Sequence, residues 1–460
     1  MARAHAVVVG SGLAGLTAAL AVADAYEQVT VLDAEPREPV ALGRPRPDAG
    51  HLELLQPPGI AALEVLAAGF AEGLRDAGVP VLRNLDELHL EMFGHVMCRS
   101  GALCGPLYRP TTATLADHVA ARLPGNVEIR DRFRAVGLTG VGDRLTGVQT
   151  ESWWGNESIT ADLVIDASGS AGACAQFLAA AGRLAPAIER VPVDLRFTSL
   201  TLDRPEEQSD SALLYFTDPH PGRLSGVGLG LVDGDRWVLS VFGYRGAHPP
   251  IDRAGLLAVA ADLLPGEAMK IVETASLGVD TVTTHVPEIV RRRWETAEGL
   301  PKGLVAIGDA WCSPNPAHNH GLMLATVQAA VLRSVVLDSD EEVAARYFTL
   351  GTSAVDHAWR SALGASWAYP EIGAAEAKAF DETTMHAVLA AAEEDNEVVN
   401  LLLAMNWGMT PSGGMAQVRL ANAVAKSRRV GKRDARRDSR VERKGTRVER
   451  RAERKQRRAG

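Results

Sequence analysis

The chain alternates between two kinds of apolar segment. Ala6-Val7-Val8-Val9 and Leu304-Val305-Ala306-Ile307 are unbroken apolar runs closed by glycine, the pattern of a parallel strand buried on both faces. Each is followed by an Ala- and Leu-rich stretch of helical character, Leu16 to Ala25 in the first case and Leu322 to Leu337 in the second. Val29-Thr30-Val31-Leu32 predicts a further strand, and Leu115 to Leu123 a further helix. Between these lie β-like runs at Leu195–Leu202, Leu213–Phe216, Val227–Leu231 and Trp237–Tyr244, the last alternating as a half-buried antiparallel strand would. Val127 to Ile159 reads as a meander with turns at Gly142-Asp143 and Gly155-Asn156, and residues 341–425 are Ala-rich and helical in period. No internal repeat is present, and no apolar run is expected to span a membrane.

The first unit carries chemistry. Strand, Gly10-Ser11-Gly12-Leu13-Ala14-Gly15, helix, second strand and then Asp33, 18 residues beyond Gly15, make a complete dinucleotide fingerprint. Gly10 permits the tight turn, Gly12 lets a pyrophosphate approach the backbone, and Gly15 lets the helix sit close to the strand. The unsatisfied N–H groups at the helix start attract the diphosphate, and Asp33 is placed to accept from ribose hydroxyls. The fingerprint alone does not separate NAD from FAD.

The second unit ends in Gly308-Asp309-Ala310, then Pro314-Asn315-Pro316, then Gly321. Asp309 suits either a helix cap or an acceptor for a sugar or ribitol hydroxyl. This segment resembles the second FAD motif of flavoprotein monooxygenases with the para-hydroxybenzoate-hydroxylase fold. Ala161-Asp162-Leu163-Val164-Ile165-Asp166-Ala167-Ser168-Gly169 is similar to the same family's middle strand and turn, and Tyr108-Arg109-Pro110 to its arginine over the flavin phosphates. A planar, bidentate guanidinium suits that place better than an ammonium. The resemblance covers about residues 6–337 and implies an α/β fold: a Rossmann-type, glutathione-reductase-like FAD-binding domain interleaved with an antiparallel-sheet substrate domain, then a C-terminal helical layer. It places the FAD domain at residues 1–80, 98–185 and 287–340 and the substrate domain at 81–97 and 186–286, with the helical region at 341–425. Cofactor contacts are implied for Gly10, Ser11, Gly12, Leu13, Ala14, Gly15, Asp33, Arg109, Asp166, Gly308, Asp309, Pro316 and Gly321.

Within that fold, Pro47-Asp48-Ala49-Gly50-His51 and Gly226 to Gly246 are similar to actinobacterial polyether epoxidases and polyketide-tailoring flavoproteins. The resemblance implies an epoxidase or hydroxylase of an apolar, polyketide-like metabolite, with antibiotic biosynthesis as its setting. Oxygen would be the co-substrate, transferred from a flavin C4a-hydroperoxide, and NAD(P)H a transient reductant, since one nucleotide fingerprint is present. Where the family has Arg, this chain has Gly50. Where it has N-P-x-Y-G-x-G, this chain has Asn315-Pro316-Ala317-His318-Asn319-His320-Gly321. His51, His318 and His320 are therefore the polar candidates for the flavin or substrate side; loop capping is the alternative for each, and no catalytic acid or base is assigned. The departures keep a second function open, a non-redox [4+2] cyclase with FAD as a structural cofactor. A flavin halogenase is disfavoured because no lysine precedes Lys270.

Composition changes the picture in one respect. The net charge of −9 hides a tail, residues 426–460, with 17 Lys or Arg against 5 Asp or Glu, on an acidic body. Such a run is expected to be solvated and disordered; contact with nucleic acid or an anionic surface is the competing reading. Cys98, Cys104, Cys174 and Cys312 form no C-x-x-C pair and read as reduced thiols in a cytoplasmic protein, with no metal site. Ala6 to Ala23 has the outline of a secretory signal, but its glycines suit one poorly, and cleavage would remove the fingerprint.

Overall fold

The computed structural model describes residues 3–36, 50–141, 143–205, 212–220, 222–338, 342–367, 382–409, 418–422 and 424–425. Pro47 to Ala49 and the basic segment 426–460 lie outside the described residues. The strands in chain order are β1 (Arg3–Val9), β2 (Tyr26–Leu32), β3 (Val81–Asn84), β4 (Leu88–Met92), β5 (His95–Val96), β6 (Ala102–Tyr108), β7 (Val127–Arg130), β8 (Phe133–Val141) and β9 (Arg144–Ser152). They continue with β10 (Gly155–Thr160), β11 (Leu163–Asp166), β12 (Ile188–Asp203), β13 (Leu214–Thr217), β14 (Ser225–Val232), β15 (Arg236–Tyr244), β16 (Leu277–Arg292), β17 (Leu304–Ala306) and β18 (Cys312–Ser313). The helices are α1 (Leu13–Val22), α2 (Pro57–Leu66), α3 (Phe70–Asp76), α4 (Thr112–Ala120), α5 (Ala173–Ala180), α6 (Arg253–Leu263), α7 (Gly266–Thr274), α8 (His320–Asp338), α9 (Val343–Trp367), α10 (Glu382–Ala392) and α11 (Asn396–Asn406).

A parallel sheet in the order β17-β11-β1-β2-β7 forms the first layer. Its strands come from distant parts of the chain, so the two apolar runs closed by glycine lie in one sheet, separated only by β11. The residues from 127 onward do not form one meander: β7 joins this parallel sheet, while β8, β9 and β10 make a separate antiparallel sheet. The turn between β9 and β10 falls at Trp153-Trp154, before Gly155.

The second layer is an eight-stranded sheet, β18-β16-β12-β15-β14-β13-β4-β5. Its strand β16 runs to Arg292, past the boundary expected between 286 and 287. The run from Trp237 to Tyr244, expected to be half-buried, is buried on both faces. Trp237, Leu239 and Val241 pack with Leu256, Ala260 and Val272 of α6 and α7, whereas Ser240, Phe242 and Tyr244 point the other way. An antiparallel sheet alternates only when water covers one side; here α6 and α7 cover one face and the nucleotide-binding unit the other.

Helix α8 is long and apolar enough to cross a membrane by length and composition, contrary to the sequence expectation. More than half of it is nonetheless buried, packed against α1, α2 and α9, which is how a core helix passes the same test. Helices α10 and α11 form a separate apolar cluster with β3, β4 and β6 through Leu389, Val399 and Trp407.

Candidate functional site

The carboxyl ends of β1, β2 and β17 open on one side of the parallel sheet, where ligands bind in folds of this kind. Gly10 has φ of +110°, and a Cβ there would lie 2.3 Å from the Ala167 carbonyl oxygen. A Cβ on Gly15 would lie 1.9 Å from the Gly10 carbonyl oxygen, so α1 rests directly on the turn. Gly12 differs: it caps α1 from an ordinary extended conformation, and a Cβ there would meet nothing within 4 Å. Two of the three fingerprint glycines are thus required by the protein itself, while the third borders open space. Asp33 at the end of β2 turns its carboxylate to this loop, accepting from the Ser11 N–H at 3.2 Å and from the Ser11 hydroxyl.

The second motif closes on the first. A Cβ on Gly308 would lie 2.7 Å from Cβ of Ala14, which brings the post-β17 turn against the first turn of α1. The Gly308 N–H donates to Gln328 Oε1 of α8 at 2.6 Å, and Ser313 Oγ donates to Asp309 Oδ2 at 3.1 Å. Arg292 fixes the turn from below, donating to the carbonyls of Ser170, Ala171 and Asp309 at 2.5, 3.0 and 3.3 Å. A Cβ on Gly321, in the first turn of α8, also meets nothing within 4 Å. The N-termini of α1 and α8, helices packed on each other, therefore both border open space.

Arg109 is fully buried and pressed against β14, where a Cβ on Gly230 would lie 2.0 Å from its guanidinium. Among the described residues none of its guanidinium nitrogens has an acceptor, and burial pushes it down to about 9. A buried cation without an acceptor calls for an anion. The open helix N-termini and this buried cation suit a diphosphate, and the carboxylate of Asp33 suits the ribose hydroxyls of a dinucleotide.

Asp166 departs from the expected role. It is wholly buried, and its carboxylate is consumed by the Ser168 N–H and hydroxyl at 3.1 and 2.6 Å and by the Cys174 N–H at 2.9 Å. It clamps the turn into α5, the work of a structural carboxylate; a strand-end aspartate with Ser two residues on finds partners locally.

The three histidines have different surroundings. His51 lies under the eight-stranded sheet, with its ring nitrogens 2.7 Å from Ser199 Oγ and 2.7 Å from Thr284 Oγ1. Ser199 Oγ lies 2.5 Å from Ser240 Oγ, which accepts from the Leu52 N–H. Gly50 beside it abuts Val282, 2.7 Å from where a Cβ would stand, which excludes a long side chain. His320 is turned away from the opening, its Nε2 2.9 Å from the Asn406 carbonyl at the end of α11, the same oxygen that lies 2.8 Å from His357 Nε2. A carbonyl only accepts, so both rings carry the proton on Nε2. His318 has its Nδ1 3.4 Å from Ser361 Oγ, and Pro316 is exposed. Burial pushes His318 down to about 4 and His320 to about 3. Below the unfolded value near 6.5 the unfolded chain gains protons that these folded rings refuse, so their contribution to stability is lost as pH falls. His320→Gln is therefore expected to remove about 2 kcal/mol of the stability lost between pH 7 and pH 5, read as a smaller shift of the urea midpoint.

Several residues here were not singled out from sequence: Arg292, Gln328, Ser199, Ser240, Thr284 and Tyr244. Tyr244 ties the layers together, its hydroxyl accepting from Asn315 Nδ2 at 2.7 Å. The one signal available for Ser240 and Tyr244 was their shared parity in the alternating run with Phe242.

Residues 5–42 match a family model described as an FAD binding domain. A Mycobacterium tuberculosis protein, Rv3254, is 28% identical over 355 residues, covering 72% of each chain. The structure of Klebsiella pneumoniae HpxO complexed with FAD and uric acid is similar with a TM-score of 0.63 at 18% identity, over 89% of this chain and 98% of that one. The flavin-dependent brominase Bmp2 is similar with a TM-score of 0.63 at 15% identity, over 92% and 99%. The chain thus has the FAD-binding α/β fold of the flavoprotein aromatic hydroxylases, a fold it shares with a brominase.

Proposed function

We propose that the chain is an FAD-dependent monooxygenase that hydroxylates or epoxidises an apolar, polyketide-like metabolite in the cytoplasm, with oxygen as co-substrate and NAD(P)H as transient reductant. The observation that carries this reading is the contact of the post-β17 turn at Gly308 with Ala14 of α1, between two packed helices whose N-termini border open space, beneath a sheet bearing Phe197, Phe216 and Phe242. In this reading the start of α1 and Arg109 hold the diphosphate, Asp33 the ribose and Asp309 the ribitol chain. The start of α8 would lie along the pyrimidine edge. FAD, when bound, supplies the redox chemistry; the chain orients it, and the sheet and C-terminal helices exclude water. Halogenation is not proposed, because no lysine precedes Lys270.

The purified chain is expected to be yellow, to be bleached by NADH or NADPH in the presence of apolar aromatic or polyene probes, and to recover in air. Tightly held FAD that neither nicotinamide reduces would overturn the reading and favour the second one, a non-redox cyclase. That alternative draws on Gly50, whose contact with Val282 leaves no room for the arginine the monooxygenases carry there. Product formation without oxygen or NAD(P)H would establish it.

A further inference from the structure

We propose that Asp218 is the specificity-determining acceptor of the substrate cavity, selecting an apolar, ring-bearing molecule that presents a hydrogen-bond donor, a hydroxyl or a protonated amine, to its carboxyl. This rests on the reading of the space beneath the eight-stranded sheet as the substrate site.

Asp218 follows β13 directly. Phe216 pairs with Gly228 and Thr217 with Val227 on β14, so the next step puts Asp218 on the row of Gly226 and Phe242. That row faces the nucleotide-binding unit, since its neighbours Thr217 and Val241 belong to the opposite face. Asp218 continues the parallel pairing through its own N–H, which donates to the Glu91 carbonyl at 2.9 Å. The backbone is thereby fixed and the carboxyl is directed inward.

The carboxyl has no donor of its own. Among the described residues none donates to its oxygens, although it lies deep enough for burial to push it up to about 7. Arg223, the cation acting on it, spends Nη2 on Glu91 Oε1 at 3.0 Å and on the Asp218 main-chain carbonyl at 3.1 Å. Asp218 nevertheless keeps accessible surface, so it is not sealed in a core. Structural buried carboxylates are satisfied by donors, as Asp166 is here; one left without them and still accessible is set for a donor brought in by a ligand.

The surroundings define the rest of that ligand. The charge of Asp218 acts on the Tyr244 phenol, whose hydroxyl accepts from Asn315 in the loop that leads into α8. The acceptor therefore lies on the same side as the proposed flavin edge. Beside it, Phe216, Phe242 and Phe197 form a stacked wall, with ring centroids 5.8 and 5.3 Å apart. Such a wall takes a ring or polyene but gives no orientation; a single polar anchor at one end supplies it.

The test uses the full chain loaded with FAD and four probes of one shape: toluene, benzyl alcohol, benzylamine and benzoate. Affinities are read from the flavin difference spectrum and from calorimetry. Benzyl alcohol and benzylamine should bind at least about tenfold tighter than toluene, and benzoate most weakly. Asp218→Asn should erase the preference for benzylamine, and Asp218→Leu should favour toluene. The relative strength of benzylamine and benzyl alcohol tells which donor is preferred. Should Asp218→Leu fail to fold, Asp218→Asn, nearly isosteric, decides alone. Equal or tighter binding of benzoate, no binding of any probe, or an unchanged order in FAD-retaining variants would overturn the proposal. An intact NAD(P)H and oxygen cycle without this preference would sink the role of Asp218 alone; the preference without the cycle would sink only the monooxygenase reading.

Discussion

Gly12→Asp is expected to leave the fold intact and to weaken FAD binding by about 100-fold or more, equivalent to about 2.7 kcal/mol. The position tolerates a side chain: Gly12 has φ −65° and ψ 178°, and a Cβ meets nothing within 4 Å. Asp is a better helix N-cap than Gly, so the FAD-free chain should gain a few tenths of a kcal/mol. The same carboxylate would fill the cradle and put a negative charge where the diphosphate must approach the helix N-terminus. Opposite signs for stability and affinity, read by thermal melts with and without FAD, separate a ligand site from a structural turn. Gly15→Ala provides the contrast. Its Cβ would meet the Gly10 carbonyl, and both quantities should fall together.

Arg109→Met should divide the two properties in the same direction for a different reason. In the FAD-free chain the guanidinium is buried without an acceptor among the described residues. Replacing it with an apolar side chain of similar length should stabilise that chain by about 2 kcal/mol at pH 7.5. Burial lowers its folded value to about 9, below that of the unfolded chain, so the unfolded state holds the proton more tightly. The advantage of the variant should therefore shrink as pH rises through about 9. FAD affinity should fall by about 10- to 100-fold, because the cation compensates the diphosphate. A variant less stable without FAD would show that packing against Gly230, not charge, is what the arginine contributes.

Part of the nucleotide site was legible because Gly10 and Gly15 answer to backbone constraints that are local in sequence. Gly10 turns at φ +110° and Gly15 meets the Gly10 carbonyl, both within six positions, and the strand and helix periods on either side identify that turn, whereas the Ala167 carbonyl that also crowds Gly10 is distant in sequence. The late motif was legible as a unit, yet its contact with Ala14 is tertiary. Asp166 and His320 show where such reading stops. Both are polar residues in a motif; one is satisfied two and eight residues away, the other by a carbonyl on α11. Ser168 offers Asp166 a local partner, but nothing in the immediate sequence of His320 states which way it turns. Asp218, Ser199 and Ser240 were passed over for the converse reason, since parity along a strand gives the face but not what covers it. The burial of Trp237–Tyr244 on both sides followed from α6 and α7, whose packing partner no local pattern names.

The contact between Ala14 and Gly308 also sets an order of events during synthesis. The central strand β1 and the helix α1 leave the ribosome first, but β17 and α8 complete the opening only after residue 338 has emerged. Until then the turn of Gly10 to Gly15 lacks the counterpart that Gly308 brings to it. Completion of the opening is then a late event in synthesis, not a nucleus for it. Contacts of such long sequence separation make folding slow.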